Sequence, residues 1–178
     1  MAKRLLLLHL GPDPVDVSAM TEALALGGIS VPDADPATFD HAGHEIRRTH
    51  KAAGLKRAQV EGAWTKVCRR AFKTRTHCFV SVPAFFGASP EQAALALDGL
   101  AGFKVVLVVT SGFAVEPPAA WTSRVKEGRT HVLPADLTDD QLAAQVARIA
   151  LIEDEARLEK RRARIGKRRR QVDRRLAA

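Results

Sequence analysis

The chain has 178 residues, enough for one domain with a real core and an appendage. Its formal charge of +8 is unevenly spread: residues 157–175 hold 11 Lys/Arg against 2 Asp/Glu, residues 47–75 hold 10 against 1, and the rest is acidic. The composition argues against a membrane-spanning chain, because no apolar stretch is long enough to cross a bilayer, and against a disulfide scaffold, because Cys68 and Cys78 are the only cysteines.

Residues 3–10 read as a buried strand, short and continuously apolar. Lys3-Arg4 before the leucines has the start of a secretion signal, but the apolar run is short, His9 interrupts it and no small-residue cleavage site follows. A soluble, cytoplasmic protein with reduced thiols is expected. Residues 18–26 read as a helix with Ser18 as N-cap and Gly27-Gly28 as its stop. The Pro/Asp-rich stretch "ISVPDADPATFD" reads as loop. Residues 37–53 and 56–73 read as two helices broken near Gly54, and they carry the first basic segment. Residues 76–83 form a second buried strand.

Ser89, Pro90 and Gln92 then spell a helix start, with Ser as cap, Pro at the first helical position and Gln completing a capping box. Residues 103–110 are the strongest strand, 117–126 a helix ending near Gly128, and 130–134 a fourth strand. Thr138 and Gln141 open the last helix, which can run to about Leu176. Leu142, Val146 and Ile149 have the spacing to pack on a sheet. Leu151, Leu158, Ile165 and Val172 recur every seven residues, one apolar position per heptad where a coiled coil needs two. Acidic residues precede basic ones along this helix, which suits the helix dipole.

Strands alternating with helices predict a three-layer, P-loop-like α/β domain with a mainly parallel sheet over residues 1–137, followed by a long basic helix over 138–178. Ligands of such sheets bind at the carboxyl ends of the strands. The turns after Leu10 and Thr110 are therefore the places to look.

Three stretches resemble the sulfotransferase family, in particular bacterial proteins of actinobacterial type: "LLLLHLG" at 5–11, "FVSVPAFFGASPEQAALALDGL" at 79–100 and "VVLVVTSGFAVEPPAAWTSRVKEGRT" at 105–130. Beyond Leu137 there is no counterpart to the family's second half. In that family the first turn reads roughly G-x-P-K-T-G-T-T, and its amides and Lys hold the 5′-phosphosulfate of 3′-phosphoadenosine 5′-phosphosulfate. Small residues let N–H groups converge on the anion and Lys neutralises it. Here the turn reads "GPDPVDVS". On that pattern Pro14 stands for Lys, Asp16 for the second Gly and Val17 for a Thr, while Ser18 alone keeps a hydroxyl as a vestige of the cofactor site. Pro12 and Pro14 each lack an N–H. Asp13 and Asp16 set carboxylates where a dianion would lie, and one like-charge pair at 4 Å costs ~4 kcal/mol at an effective dielectric near 20. Gly112 stands where the family's Arg takes the 3′-phosphate, and Ser81-Val82-Pro83 replaces its S-H-E.

The resemblance thus implies a degenerate, truncated sulfotransferase-like protein without the catalytic residues or the cofactor of its family. The alternative is an active enzyme using the same donor through Ser18, His9 and a relocated basic group. The work is expected to be binding. Contact surfaces are assigned to Arg47, Arg48, Arg69 and Arg70, and to Arg161, Arg162, Arg164, Lys167, Arg168, Arg169, Arg170, Arg174 and Arg175. The expected partner is anionic, either RNA or DNA held by charge rather than sequence, or an acidic protein surface. Pairing of the last helix with another subunit is a further possibility, and a plain solvated helix face is the bland one. His41 and His44, three apart, and His50 could hold zinc but fit no known ligand pattern, and no metal site is expected. Cys78, Trp64 and Trp121 are expected in the core.

Overall fold

A computed structural model describes residues 3–12, 15–112 and 116–176, with side chains to Arg168. Five strands form one all-parallel sheet: β1 (Leu5–Leu10), β2 (Ile29–Ser30), β3 (His77–Ser81), β4 (Lys104–Ser111) and β5 (Thr130–Pro134). Their order is β2-β3-β1-β4-β5. Parallel strands need crossovers, and right-handed ones put connections running in opposite directions on opposite faces. Only the β1–β2 connection runs toward β2, and it carries α1 (Val17–Leu26) across one face. The other connections carry α2 (Pro36–Arg47), α3 (Arg57–Val60), α4 (Ala63–Lys73), α5 (Pro90–Asp98) and α6 (Ala119–Thr122), and the core residues of α2, α4, α5 and α6 lie on the other face. The last helix, α7 (Asp139–Leu176), joins α1.

The three layers follow from the alternation along β1. Leu6, Leu8 and Leu10 face α2, α4, α5 and Trp121, while Leu5 and Leu7 face α1 and α7. Every β1 residue is fully buried, which is why the strand reads as a continuous apolar run. Trp64 and Trp121 are core anchors, each donating its indole N–H to a backbone carbonyl, of Ala96 and Phe85 respectively. Cys78 and Cys68 are buried, and burial pushes both thiols up to about 12, well outside the range of a reactive cysteine.

Several local expectations need correction. Asp16, not Ser18, caps α1: its carboxylate accepts from the N–H groups of Ser18 and Ala19. Both residues are good caps, and a charged carboxylate at a helix N-terminus gains from the dipole as well. The helix expected over 37–53 ends at Arg47, because Arg48 turns into the left-handed region at φ 57°. The helix expected over 56–73 is split by Gly62, at φ +80°, into α3 and α4. The helix expected over 117–126 shrinks to α6, which starts after Pro118. Within the loop-like "ISVPDADPATFD", Ile29 and Ser30 pair with β3 as a two-residue edge strand. The Ser89–Gln92 capping box, Pro90 and the α7 start beside Thr138 and Gln141 are as expected.

The N-terminus of α4 has no side-chain cap of its own, since its N-cap is Gly62. Glu45 of α2 supplies one, accepting from the N–H groups of Gly62 at 2.8 Å and Trp64 at 2.7 Å. These charge-assisted bonds lock α2 to α4. Glu45→Ala should lower the unfolding free energy by about 1–3 kcal/mol in urea titration, because it orphans N–H groups at the start of α4.

Candidate functional site

The carboxyl ends of β3, β1 and β4 meet at His9, which is fully buried. Its Nδ1 lies 2.9 Å from Ser81 Oγ and its Nε2 3.0 Å from Thr110 Oγ1. A neutral ring carries one N–H and one lone pair, so one hydroxyl accepts from the ring and the other donates to it. Burial lowers the His9 pKa to about 4, so at neutral pH the ring is uncharged. A base of that strength is poorly matched to proton abstraction near pH 7. What the arrangement does well is tie three strands together. Gly11 makes room for it, since a Cβ there would sit 2.2 Å from Thr110 Oγ1.

Beyond Ser81 lies a cleft of about 520 Å³ between the start of α1 and the start of α2. Its walls include Val15, Val31 and Phe39, and its polar groups include Asp16, Asp33, Asp40 and Ser18. It is acidic, and its nearest helix N-terminus is already occupied by the Asp16 carboxylate. The Asp16 N–H is itself directed to Asp139 Oδ1 at 3.3 Å. Ser18 therefore lines the cleft with its N–H committed to Asp16. Asp13 and Pro14 of this turn lie outside the described residues, as does Phe113 beyond Gly112. Gly112 has nothing within 4 Å of where a side chain would begin.

The opposite end of the sheet has the opposite charge. A groove of about 570 Å³ is lined by Lys3, Phe103, Lys104, Lys126, Arg129, Arg157, Lys160, Arg161 and Arg164. Lys3 precedes β1, Lys104 opens β4, and Lys126 and Arg129 precede β5. In a parallel sheet all strand beginnings lie at one end, so residues far apart in sequence converge. Phe103 forms part of the lining and stacks on Phe72 of α4 at 4.7 Å. Phe72 in turn lines a second groove, of about 540 Å³, with Thr65, Lys66, Arg69, Arg70 and Lys73. The two basic grooves thus flank one aromatic pair, over which Arg4 lies at 5.1 Å from the Phe103 centroid.

The arginines assigned from sequence separate into different places. Arg69 is exposed on α4, and Arg70 there pairs with Asp33 at 3.3 Å. Arg48 is exposed at the end of α2, while the Arg47 guanidinium packs against Gly87 near the start of α5, away from the α4 groove. Arg161 and Arg164 line the lower groove, whereas Arg162, Lys167 and Arg168 are exposed on α7 outside it. Arg169, Arg170, Arg174 and Arg175, like Val172, have side chains outside the described residues. Lys3, Lys104, Lys126 and Arg129 were not singled out from sequence; a basic residue at or just before the start of β1, β4 and β5 is the signal that would have found them. His41, His44 and His50 are half-buried, and His44 bonds to Thr49. Among the described residues no cluster of three His, Cys, Asp or Glu could hold a metal ion, and no helix is long and apolar enough to cross a membrane.

Comparison of the chain with protein-family models, with curated proteins and with solved structures returned no match.

His9 links this end of the fold to pH. Its folded pKa lies below its unfolded value of 6.5, so its contribution to stability is complete above pH 6.5 and is lost as pH falls toward 4. The loss amounts to about 3 kcal/mol. His131 is shifted down as well, so the comparison must isolate His9. Urea titrations of wild type and His9→Gln between pH 7 and 4 should show a steeper loss for wild type; equal slopes would contradict the assignment.

Proposed function

We propose that the chain is a non-catalytic, sulfotransferase-like module that binds the phosphate backbone of nucleic acid through basic surfaces. The observation that carries this reading is the pair of basic grooves flanking Phe72 and Phe103, one at the strand beginnings and the other along α4. Phosphates condense on such surfaces by displacing counterions, without any base-reading motif.

The upper end supports the same reading by what it offers a phosphosulfate donor. The amides at the start of α1 already serve Asp16, and Asp33 and Asp40 add negative charge to the cleft. Thr110 and Ser81, at the strand ends where the resemblance would put donor and acceptor contacts, are engaged by His9. A dianion entering this cleft meets like charge and few free donors.

A second reading has a specific observation behind it. Leu151, Leu158 and Ile165 are exposed on α7 at seven-residue intervals. Such a stripe suits a helix from another subunit. Light scattering of the full chain should give a monomer mass if α7 serves nucleic acid alone, and a dimer mass if it pairs.

Fluorescence anisotropy with a labelled 20-nucleotide RNA and a 20-base-pair DNA duplex tests the main reading. Binding should be insensitive to sequence and should fall on the order of 100-fold between 50 and 200 mM salt, as expected for about four phosphate contacts. Calorimetry with 3′-phosphoadenosine 5′-phosphosulfate should show no micromolar binding. Micromolar donor binding, or no oligonucleotide binding at 50 mM salt, would overturn the proposal.

A further inference from the structure

The face of α7 that packs on the sheet does not end where the sheet ends. Leu142, Val146, Ile149 and Ala150 are buried against β1, β3 and β4. One turn on, the same face carries Glu153, buried and paired with Lys104, next to Asp154, which holds His77 at 2.8 Å. These pairs fasten α7 at the beginnings of β4 and β3. The three- and four-residue spacing then continues through Arg157, Lys160, Arg161 and Arg164. The stripe facing the domain is therefore apolar over the sheet and cationic once it passes the sheet's edge. There it lies across a groove from Lys3, Lys126 and Arg129.

Cations placed on both walls of one groove repel each other unless an anion lies between them. The acidic residues nearest to hand do not serve. Glu153 is taken by Lys104, and Asp154 by His77 and Arg157. Glu155 and Glu159 are exposed on the outer side of α7. Among the described residues, Lys3, Lys126, Arg129, Lys160, Arg161 and Arg164 have no carboxylate within salt-bridge distance.

We infer that this groove, between α7 and the lower edge of the sheet, is the primary seat of a nucleic-acid strand, with the sugar-phosphate backbone running between Arg129 on one wall and Arg161 on the other. The inference rests on the nucleic-acid reading above and names its site. A linear polyanion fits better than a compact one. From Arg157 to Arg168 the helix advances about 16 Å, and its cations follow that line out of the groove. On the other side, Phe103 joins the groove to the α4 cations through Phe72. Backbone phosphates spaced along a strand can meet successive cations over such a distance, whereas a small oligophosphate can meet only those of one groove.

The test uses the full chain and charge-reversed variants. Lys126→Glu/Arg129→Glu alters the sheet wall of the groove without touching α7. Arg124→Glu/Arg148→Glu reverses two exposed charges outside both grooves as a control. Circular dichroism and thermal midpoints confirm that both fold. Anisotropy with the labelled 20-nucleotide RNA should show at least 10-fold weaker binding for the Lys126/Arg129 variant, a salt slope smaller by about 1 to 2, and less than 3-fold weakening for the Arg124/Arg148 control. If the wild type binds but the Lys126/Arg129 variant matches it within 2-fold, the groove assignment fails while the nucleic-acid reading stands. If the wild type does not bind at all, both fail. Unlabelled tripolyphosphate competing as well as the 20-mer per mole would show a compact oligophosphate site and overturn the strand assignment, and poly-glutamate of equal charge competing equally would overturn phosphate recognition. Should Lys126→Glu/Arg129→Glu unfold, Lys126→Gln with Arg161→Gln provides the same readout at smaller amplitude.

Discussion

The fold is organised by the complete burial of β1. A strand covered on both faces and paired on both edges has no route to water for any polar atom it carries. β1 carries one polar side chain, His9, and the fold meets its needs from the two flanking strands, Ser81 on β3 and Thr110 on β4. That choice has consequences beyond the strand. The hydroxyls that project at the strand ends become structural partners of a neutral ring, and Gly11 must stay without a side chain so that Thr110 can reach it. Ser81 and Thr110, at the strand ends, are thereby part of the packing around His9.

Charge is then distributed by topology. Parallel connectivity gathers every strand beginning at one end and every strand ending at the other. In this chain aspartates follow the ends of β1, β2 and β5, and lysines or arginines stand at or just before the starts of β1, β4 and β5. Asp16, Asp33 and Asp40 gather above the sheet, and Lys3, Lys104, Lys126 and Arg129 below it. The lone connection that runs toward β2 brings α1 to the second face, and α7 lies alongside it, descending to the basic end.

Much of this was legible in the residues. The apolar runs of β1, β3 and β4 are long and bounded, so burial on both faces could be read directly. The capping box at Ser89 and Gln92 marks α5 without reference to anything distant. What local reading missed depends on partners elsewhere. β2 is only two residues and exists because β3 offers it an edge. Arg48 ends α2 in a left-handed turn that no glycine announces. Asp16 and Ser18 both suit an N-cap, and the choice between them is made by the geometry of the turn. The α4 cap comes from Glu45, on another helix. The lower groove was the least legible feature of all, because its cations are scattered from Lys3 to Arg164 and only strand order unites them. The arginine-rich segments drew attention by density, yet Arg47 and Arg48 lie apart from the α4 groove while isolated lysines join α7.

The two halves of α7 differ in what keeps them helical. The first is held by Leu142, Val146 and Ile149 against the sheet and by the Lys104 and His77 pairs at its edge. The second, as far as Arg168, has mostly exposed side chains, and it repeats like charges four residues apart, Arg157 with Arg161 and Arg164 with Arg168, which works against the helix. Amide protons of the first half are therefore protected by the global stability of the domain, and those of the second only by local fraying equilibria. Any anion that neutralises those arginines removes the repulsion and slows their exchange. Helix order along this segment is therefore coupled to its charge, and an anion bound there would extend the reach of α7 beyond the domain.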